Sequence, residues 1–214
     1  MSKRKKVVIF LGVIVLIIII LFSIVAYLLL KAIHPLLYTD LKNYELYKNN
    51  LKIPHESEPY AAEAVEEFLP DLKDLGNNES IELYVLQFSK NVKNELSLNL
   101  TVTYSDEIYL ERKQELINNM NFVSKPIIYG DDKIFSLSQY ECQYKGFEIK
   151  IVECKYFIYC SCFGMIGFND ETRQISWLFY RDSHDTRMDA NNRTFEQWLD
   201  MNFRFEAMDG LAAN

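Results

Sequence analysis

The chain has 214 residues, 49% hydrophobic and 25% charged, with 23 basic and 30 acidic side chains and a formal net charge of −7. This composition excludes collagen-like, disulfide-dense and wholly disordered chains. It also excludes a multi-span membrane protein, because only one apolar run is long enough to cross a bilayer.

That run is Val7 to Leu30, which contains no charged residue. As a helix rising ~1.5 Å per residue it exceeds the ~30 Å hydrocarbon core, so it is expected to span with some tilt. A cleavable signal peptide needs a shorter apolar core and a small-x-small site, and Ile24-Val25-Ala26 followed by more apolar residues offers neither. Lys3, Arg4, Lys5 and Lys6 precede the run and Lys31 follows it. The positive-inside rule therefore predicts a cytoplasmic tail (1–6), a transmembrane signal-anchor helix (7–31) and an extracytoplasmic remainder. Lys3, Arg4, Lys5, Lys6 and Lys31 are five of the 23 basic groups. The other 18 share the rest of the chain with all 30 acids, which leaves that part at −12. A domain so acidic repels nucleic acid phosphates, so no nucleic acid partner is expected. The bilayer and an envelope protein are the partners expected.

Residues 32–59 read as a juxtamembrane stalk and linker. His34-Pro35 ends the membrane helix. Thr39 is a candidate cap for a short helix with Leu41, Tyr44, Lys48 and Leu51 on one face. Lys52 to Pro59 holds two prolines and no core pattern.

A folded domain is predicted over 60–208, with 209–214 a frayed tail. Tyr60 to Leu69 has helical spacing, its apolar stripe backed by outward glutamates. Ile81 to Phe88 and Leu96 to Tyr104 read as a strand hairpin. In the second, Leu96, Leu98, Leu100 and Val102 alternate with Ser97, Asn99 and Thr101, which predicts one face in the core and one in water. Ser105 to Asn121 is the next helix, with Tyr109, Leu110, Leu116, Ile117 and Met120 on its packing face. Four strands are expected after it: Ile134 to Tyr144, Phe147 to Val152, Tyr156 to Phe168 and Gln174 to Tyr180. Short connections favour an antiparallel meander. Thr194-Phe195-Glu196-Gln197 is a capping box opening a last helix through Met208. The fold class is therefore α+β: a transmembrane helix, then an antiparallel sheet (a meander of about four strands plus a hairpin) with two to three helices covering one face.

The strand-strand-helix-meander order, the run Cys142-Gln143-Tyr144-Lys145-Gly146-Phe147 and the later Gly167-Phe168-Asn169-Asp170-Glu171 accompany the anchor. Together they resemble small single-pass surface proteins of low-GC Gram-positive bacteria. The resemblance implies the architecture and no site residue.

Four cysteines, Cys142, Cys154, Cys160 and Cys162, lie within the β region. Outside the membrane an even number of thiols points to disulfides, with three pairings open. Buried unpaired cysteine is the other reading, since free thiols pack as small hydrophobes. Placed on one strand, Cys160 and Cys162 would share a face. Either could act as a nucleophile with His184 as base, if the fold brings them together. Asp182, Asp185 and Asp189 could offer carboxylates to calcium, without the glycine and terminal glutamate of the usual loop. His55 with Glu56 and Glu58 is a second, weaker metal grouping. No glycine-rich phosphate loop is present and no cofactor is expected. The leading expectation is a membrane-anchored, extracytoplasmic binding protein without catalysis, its first candidate surface the open side of the meander with the 182–193 loop. A thiol-dependent envelope enzyme is the alternative.

Overall fold

A computed structural model describes residues 15–25, 35–56, 58–89, 92–124, 141–159, 161–182 and 194–205. The chain divides into two units, Met1–Pro35 and Leu36–Asn214. In the first, residues 15–25 form a helix (α1) whose residues are all exposed, among them seven consecutive residues from Val15 to Leu21 that are about half accessible or more. Ser23 returns its hydroxyl to the carbonyl of Ile19, 2.9 Å away, which satisfies the one polar side chain of this stretch. Among the described residues no helix is long and apolar enough to cross a membrane. The rest of the Val7 to Leu30 run lies outside the described residues.

The described residues of the second unit are α+β, built on one antiparallel sheet of seven strands in the order β1-β2-β3-β7-β6-β5-β4. The strands are β1 (Leu36–Tyr38), β2 (Ser80–Gln87), β3 (Leu96–Thr103), β4 (Glu141–Tyr144), β5 (Phe147–Ile151), β6 (Cys162–Asn169) and β7 (Gln174–Arg181). The predicted hairpin is β2–β3 and the predicted meander is β4 to β7. They join into one sheet because β7 pairs with β3 along its full length, from Leu96 opposite Arg181 to Thr103 opposite Gln174.

Two tight turns set the meander's register. Lys145 and Gly146 both have positive φ, 50° and 82°, the geometry of a type I′ hairpin turn that puts Tyr144 opposite Phe147. At the β6–β7 turn the Asn169 side chain accepts from the backbone N–H of both Glu171 and Thr172 at 3.1 Å.

Helices cover both faces of the sheet rather than one. Antiparallel partners share a face, so Leu98, Phe179 and Gly164 lie on one side and Ser97, Tyr180 and Phe163 on the other. The first side meets α2 (Tyr44–Leu51), α3 (Ala61–Phe68) and α4 (Asp106–Asn119). Phe68 of α3 sits on Phe179 with ring centroids 5.8 Å apart, and Lys113 of α4 lies over the Phe168 ring. The second side meets α5 (Phe195–Asn202), whose Trp198 stacks on Phe163 at 5.6 Å and meets Tyr180 edge-on at 4.9 Å.

This second layer overturns the expectation that the polar residues of β3 face water. Ser97, Asn99 and Thr101 are all buried. Ser97 donates to the carbonyl of Asn202, Asn99 donates to that of Arg204 at 2.7 Å, and Thr101 bonds the Ser176 hydroxyl at 2.6 Å. Their polarity serves the chain that packs on them, because backbone carbonyls buried against a sheet need donors.

The predicted stalk is also corrected. The domain begins at Leu36, not at residue 60. β1 pairs with β2, and Tyr44, Tyr47, Lys48 and Leu51 of α2 are buried. Asp40, not Thr39, supplies the cap: it accepts from Lys42 N–H at 3.0 Å and starts a 3-10 turn (Leu41–Asn43) that runs into α2. The proline-bearing stretch read as a linker is pinned by Glu58, which is fully buried against Arg181.

Other boundaries shift for identifiable reasons. In the apolar run from Tyr156 the described residues before Cys162 are not part of the strand, and Cys160 lies outside the described residues. Phe157 instead fills the core between Phe68 and Phe179, and the Tyr159 hydroxyl bonds the Val152 carbonyl and the Cys154 N–H. An apolar run alone does not distinguish a strand from a loop that lines a core. In α4 only Tyr109 is fully buried, whereas Leu110 and Ile117 are 64% and 42% exposed. The C-terminal capping box forms in full, with Gln197 N–H on Thr194 Oγ1 and Thr194 N–H on Gln197 Oε1. The helix it starts ends at Asn202 rather than Met208, and Met201 is exposed. Ile134 to Tyr140, expected as the start of β4, lies outside the described residues.

Candidate binding cleft

A cleft of about 530 Å³ opens between α3, the segment after it, α4 and the β5–β6 connection. Its first wall follows from the sequence of α3. Ala61, Ala64, Val65 and Phe68 turn to the sheet at helical spacing, and Glu66 and Glu67 point away from it. Pro70 then ends the helix, and its carbonyl accepts the Tyr44 hydroxyl at 2.6 Å. Asp71 takes Lys48 at 2.6 Å and Lys73 at 3.2 Å. The Lys48 hydrogen bond holds the Asp71 carboxyl below the usual aspartate value, with Lys73 adding to the effect. Gly76, at φ 72°, ends the segment that follows, before β2.

The opposite walls come from α4 and from a bridge between chain segments. Arg112 and Glu115 pair at 2.8 Å on α4. Phe122 bridges Val152, and Glu153 N–H donates to the Asn121 carbonyl at 2.7 Å, which carries Glu153 and Cys154 to the cleft. The floor is apolar, formed by Phe68, Phe157 and Trp177, with Leu116 and Met120 at the side. Tyr104 lies beneath and donates to the Leu75 carbonyl at 3.2 Å.

The cleft carries six carboxylates, Glu66, Glu67, Asp71, Asp74, Glu115 and Glu153, against two cations, Lys48 and Arg112. Both cations are held by carboxylates of the same cleft. Glu66 is paired with Lys52, whose hydrogen bond lowers the Glu66 pKa. Asp74 and Glu153 form no ion pair among the described residues. The arrangement is a cation-attracting surface over an aromatic floor, with its own cations already committed.

The residues singled out from the sequence fall elsewhere or apart. Cys142, Cys154 and Cys162 are free thiols, and Cys160 lies outside the described residues. Cys142 pairs with Ile149 and so lies level with Gly167, five residues along β6 from Cys162. At ~3.3 Å per residue that offset exceeds disulfide reach, so no bridge joins those two. Burial pushes the Cys142 and Cys162 thiols up to about 12 and raises Cys154 as well. These shifts run opposite to what a thiolate nucleophile needs. Cys162 sits beside the buried Glu58–Arg181 pair, and Cys154 lines the cleft against Glu67.

His184, Asp185 and Asp189 lie outside the described residues, and Asp182 is described at the end of β7, its N–H on the Ser161 carbonyl. Among the described residues no group of three His, Cys, Asp or Glu side chains is placed to hold a metal. Glu58, grouped from the sequence with His55, is instead spent on Arg181. The open meander face expected as the first binding surface does not exist at its centre. Every residue of β6 is buried, as is β7 from Ile175 onward, because α3 and α5 cover opposite sides.

The native thiols are expected to react slowly. At pH 7.5, iodoacetamide labelling of Cys142, Cys154 and Cys162, mapped by mass spectrometry, should be far slower than in 8 M urea. Rapid native labelling of Cys162 would contradict its burial and favour the enzyme reading.

The cleft's carboxylates were not singled out from the sequence. Glu66 and Glu67 show there only as the solvated side of an amphipathic helix, and nothing local connects them with Glu153. Comparison with known proteins adds no relative: no family model fits the chain, and no curated protein or solved structure matches it.

Proposed function

We propose that the chain is a single-pass membrane protein whose 36–214 unit stands outside the cytoplasm and binds an envelope partner without catalysing a reaction. The observation that carries the binding part is the acid-lined cleft with its aromatic floor. The anchor rests on the uncharged Val7 to Leu30 run with its basic flank. The exposed apolar residues of α1 support it, since an apolar helix surface of that kind is unfavourable in water and favourable in lipid. The resemblance to single-pass surface proteins of low-GC Gram-positive bacteria supports the same placement. Raised thiol pKa values at Cys142, Cys154 and Cys162 weigh against the cysteine-enzyme alternative.

Site-directed photo-crosslinking in intact membranes tests the reading. A crosslinker at Leu116, beside the cleft, should capture the same species repeatedly. Glu67→Gln with Glu115→Gln should weaken that capture. Recovery no greater than from an anchor-only chain of residues 1–35 would overturn the proposal. For orientation, protease added to intact cells should digest the folded unit, and its survival there would overturn the topology.

A further inference from the structure

We infer that the cleft receives a basic peptide segment of a partner protein, in which a lysine or arginine lies next to an aromatic or long apolar side chain. This rests on the binding reading above and names the chemistry of its partner.

Charge complementarity decides the sign of that partner. Six carboxylates surround the cleft, and its two cations, Lys48 and Arg112, are each held by one of them. Among the described lining residues an anionic segment would find no unpaired cation to receive it. A cationic one finds Asp74 on the wall after α3 and Glu153 on the β5–β6 side, neither engaged in an ion pair among the described residues. It therefore need not displace an existing pair, and so avoids leaving one partner of a broken pair uncompensated.

The floor decides what accompanies the charge. Ion pairs on an open rim contribute little and are screened by salt. Affinity must come from an apolar anchor set against Leu116 and Met120, which are partly exposed, above the nearly buried Phe157 and Trp177. The open form favours a chain over a small molecule. Pockets for small ligands enclose most of the ligand's surface, whereas this cleft is open to solvent rather than enclosed. A peptide can lie across it, insert one side chain and leave its backbone in water.

The test uses the full chain in nanodiscs of zwitterionic lipid, so the bilayer itself does not attract cations. The probes are fluorescently labelled heptapeptides that alternate Lys with Phe, Lys with Ser, or Glu with Phe, read by anisotropy. The Lys–Phe peptide is expected to bind at least tenfold more tightly than either control, and more weakly as salt rises. Asp74→Asn with Glu153→Gln should weaken it at least fivefold. Glu141→Gln with Glu171→Gln, which removes the same charge elsewhere on the domain, should change it less than twofold. Quenching of intrinsic fluorescence by the bound peptide should be lost in Trp177→Phe, since the other tryptophan, Trp198, lies on the opposite face of the sheet.

Equal binding of the Lys–Phe and Lys–Ser peptides would overturn the inference, as would insensitivity to the Asp74 and Glu153 changes, or no binding at all. A cleft-dependent crosslinked partner with no basic segment would also refute it and leave the binding reading standing. Absence of any cleft-dependent partner would instead remove that reading.

Discussion

Replacing Arg181 with alanine is expected to destabilise the protein by about 3–5 kcal/mol, the cost of leaving a buried charge without its partner. Arg181 and Glu58 are each 1% exposed, and Nε donates to Oε2 at 2.6 Å. Arg181 Nη1 also donates to the carbonyl at the end of α2, that of Leu51. One guanidinium therefore ties the first part of the domain to β7. Among the described residues Glu58 Oε1 and Arg181 Nη2 have no hydrogen-bond partner, so there the pair itself carries some uncompensated desolvation. This shapes the double variant. Glu58→Leu with Arg181→Met removes both charges together and should recover at least half of the loss. It should not recover all of it, because the Leu51 carbonyl still loses its donor. Urea unfolding followed by near-UV circular dichroism measures each variant. A double variant as unstable as Arg181→Ala would show that packing, not charge, dominates there.

Truncating Phe68 to alanine should cost a similar ~3–5 kcal/mol, by loss of burial and the cavity left behind. The ring is buried, with Phe157 and Phe179 each 5.8 Å from its centroid. Beneath it is Gly164 of β6, where a Cβ would meet three Phe68 ring carbons at 2.7–2.8 Å. The glycine is required here by close approach, not by backbone angle. Gly164→Ala should therefore destabilise by about 1–3 kcal/mol, since the ring's neighbours prevent it from moving aside. Adding Phe68→Leu to Gly164→Ala should restore part of the loss, because the smaller side chain clears the new methyl. Thermal unfolding of the four proteins forms a double-mutant cycle, and strict additivity would refute the contact. Phe68 also floors the cleft, so these variants test whether its two sides are held together through this ring.

How much was legible in the sequence differs by element. The β2–β3 hairpin, β5, β7 and the starts of α3, α4 and α5 were readable within a few residues. Their signals are local: period-two alternation, helical spacing and a capping box. The misreadings share another cause. Ser97, Asn99 and Thr101 carry an ordinary solvent-facing pattern, and only the arrival of α5 and its following residues, 105 positions later, buries them. Glu58 looked like a linker residue because its partner lies 123 positions away. The apolar Tyr156 to Ser161 stretch looked like strand because hydrophobicity reports burial, not backbone geometry. The candidate cleft was not legible at all. It draws on α3, α4 and the β5–β6 connection, and no single one of them carries an unusual motif.

The sequence by itself determined the separation of charge, with a basic, apolar start and a −12 remainder, and it determined most of the local elements. Both follow from neighbours along the chain, since side-chain direction repeats every 3.6 or 2 residues. Tertiary structure decided the rest: that β3 joins β7, that helices cover both faces, that the presumed stalk begins the domain, and that carboxylates from three segments converge over Phe157 and Trp177. Those outcomes depend on which buried surfaces and orphaned polar groups can satisfy one another across more than a hundred residues, and no local spacing encodes that choice.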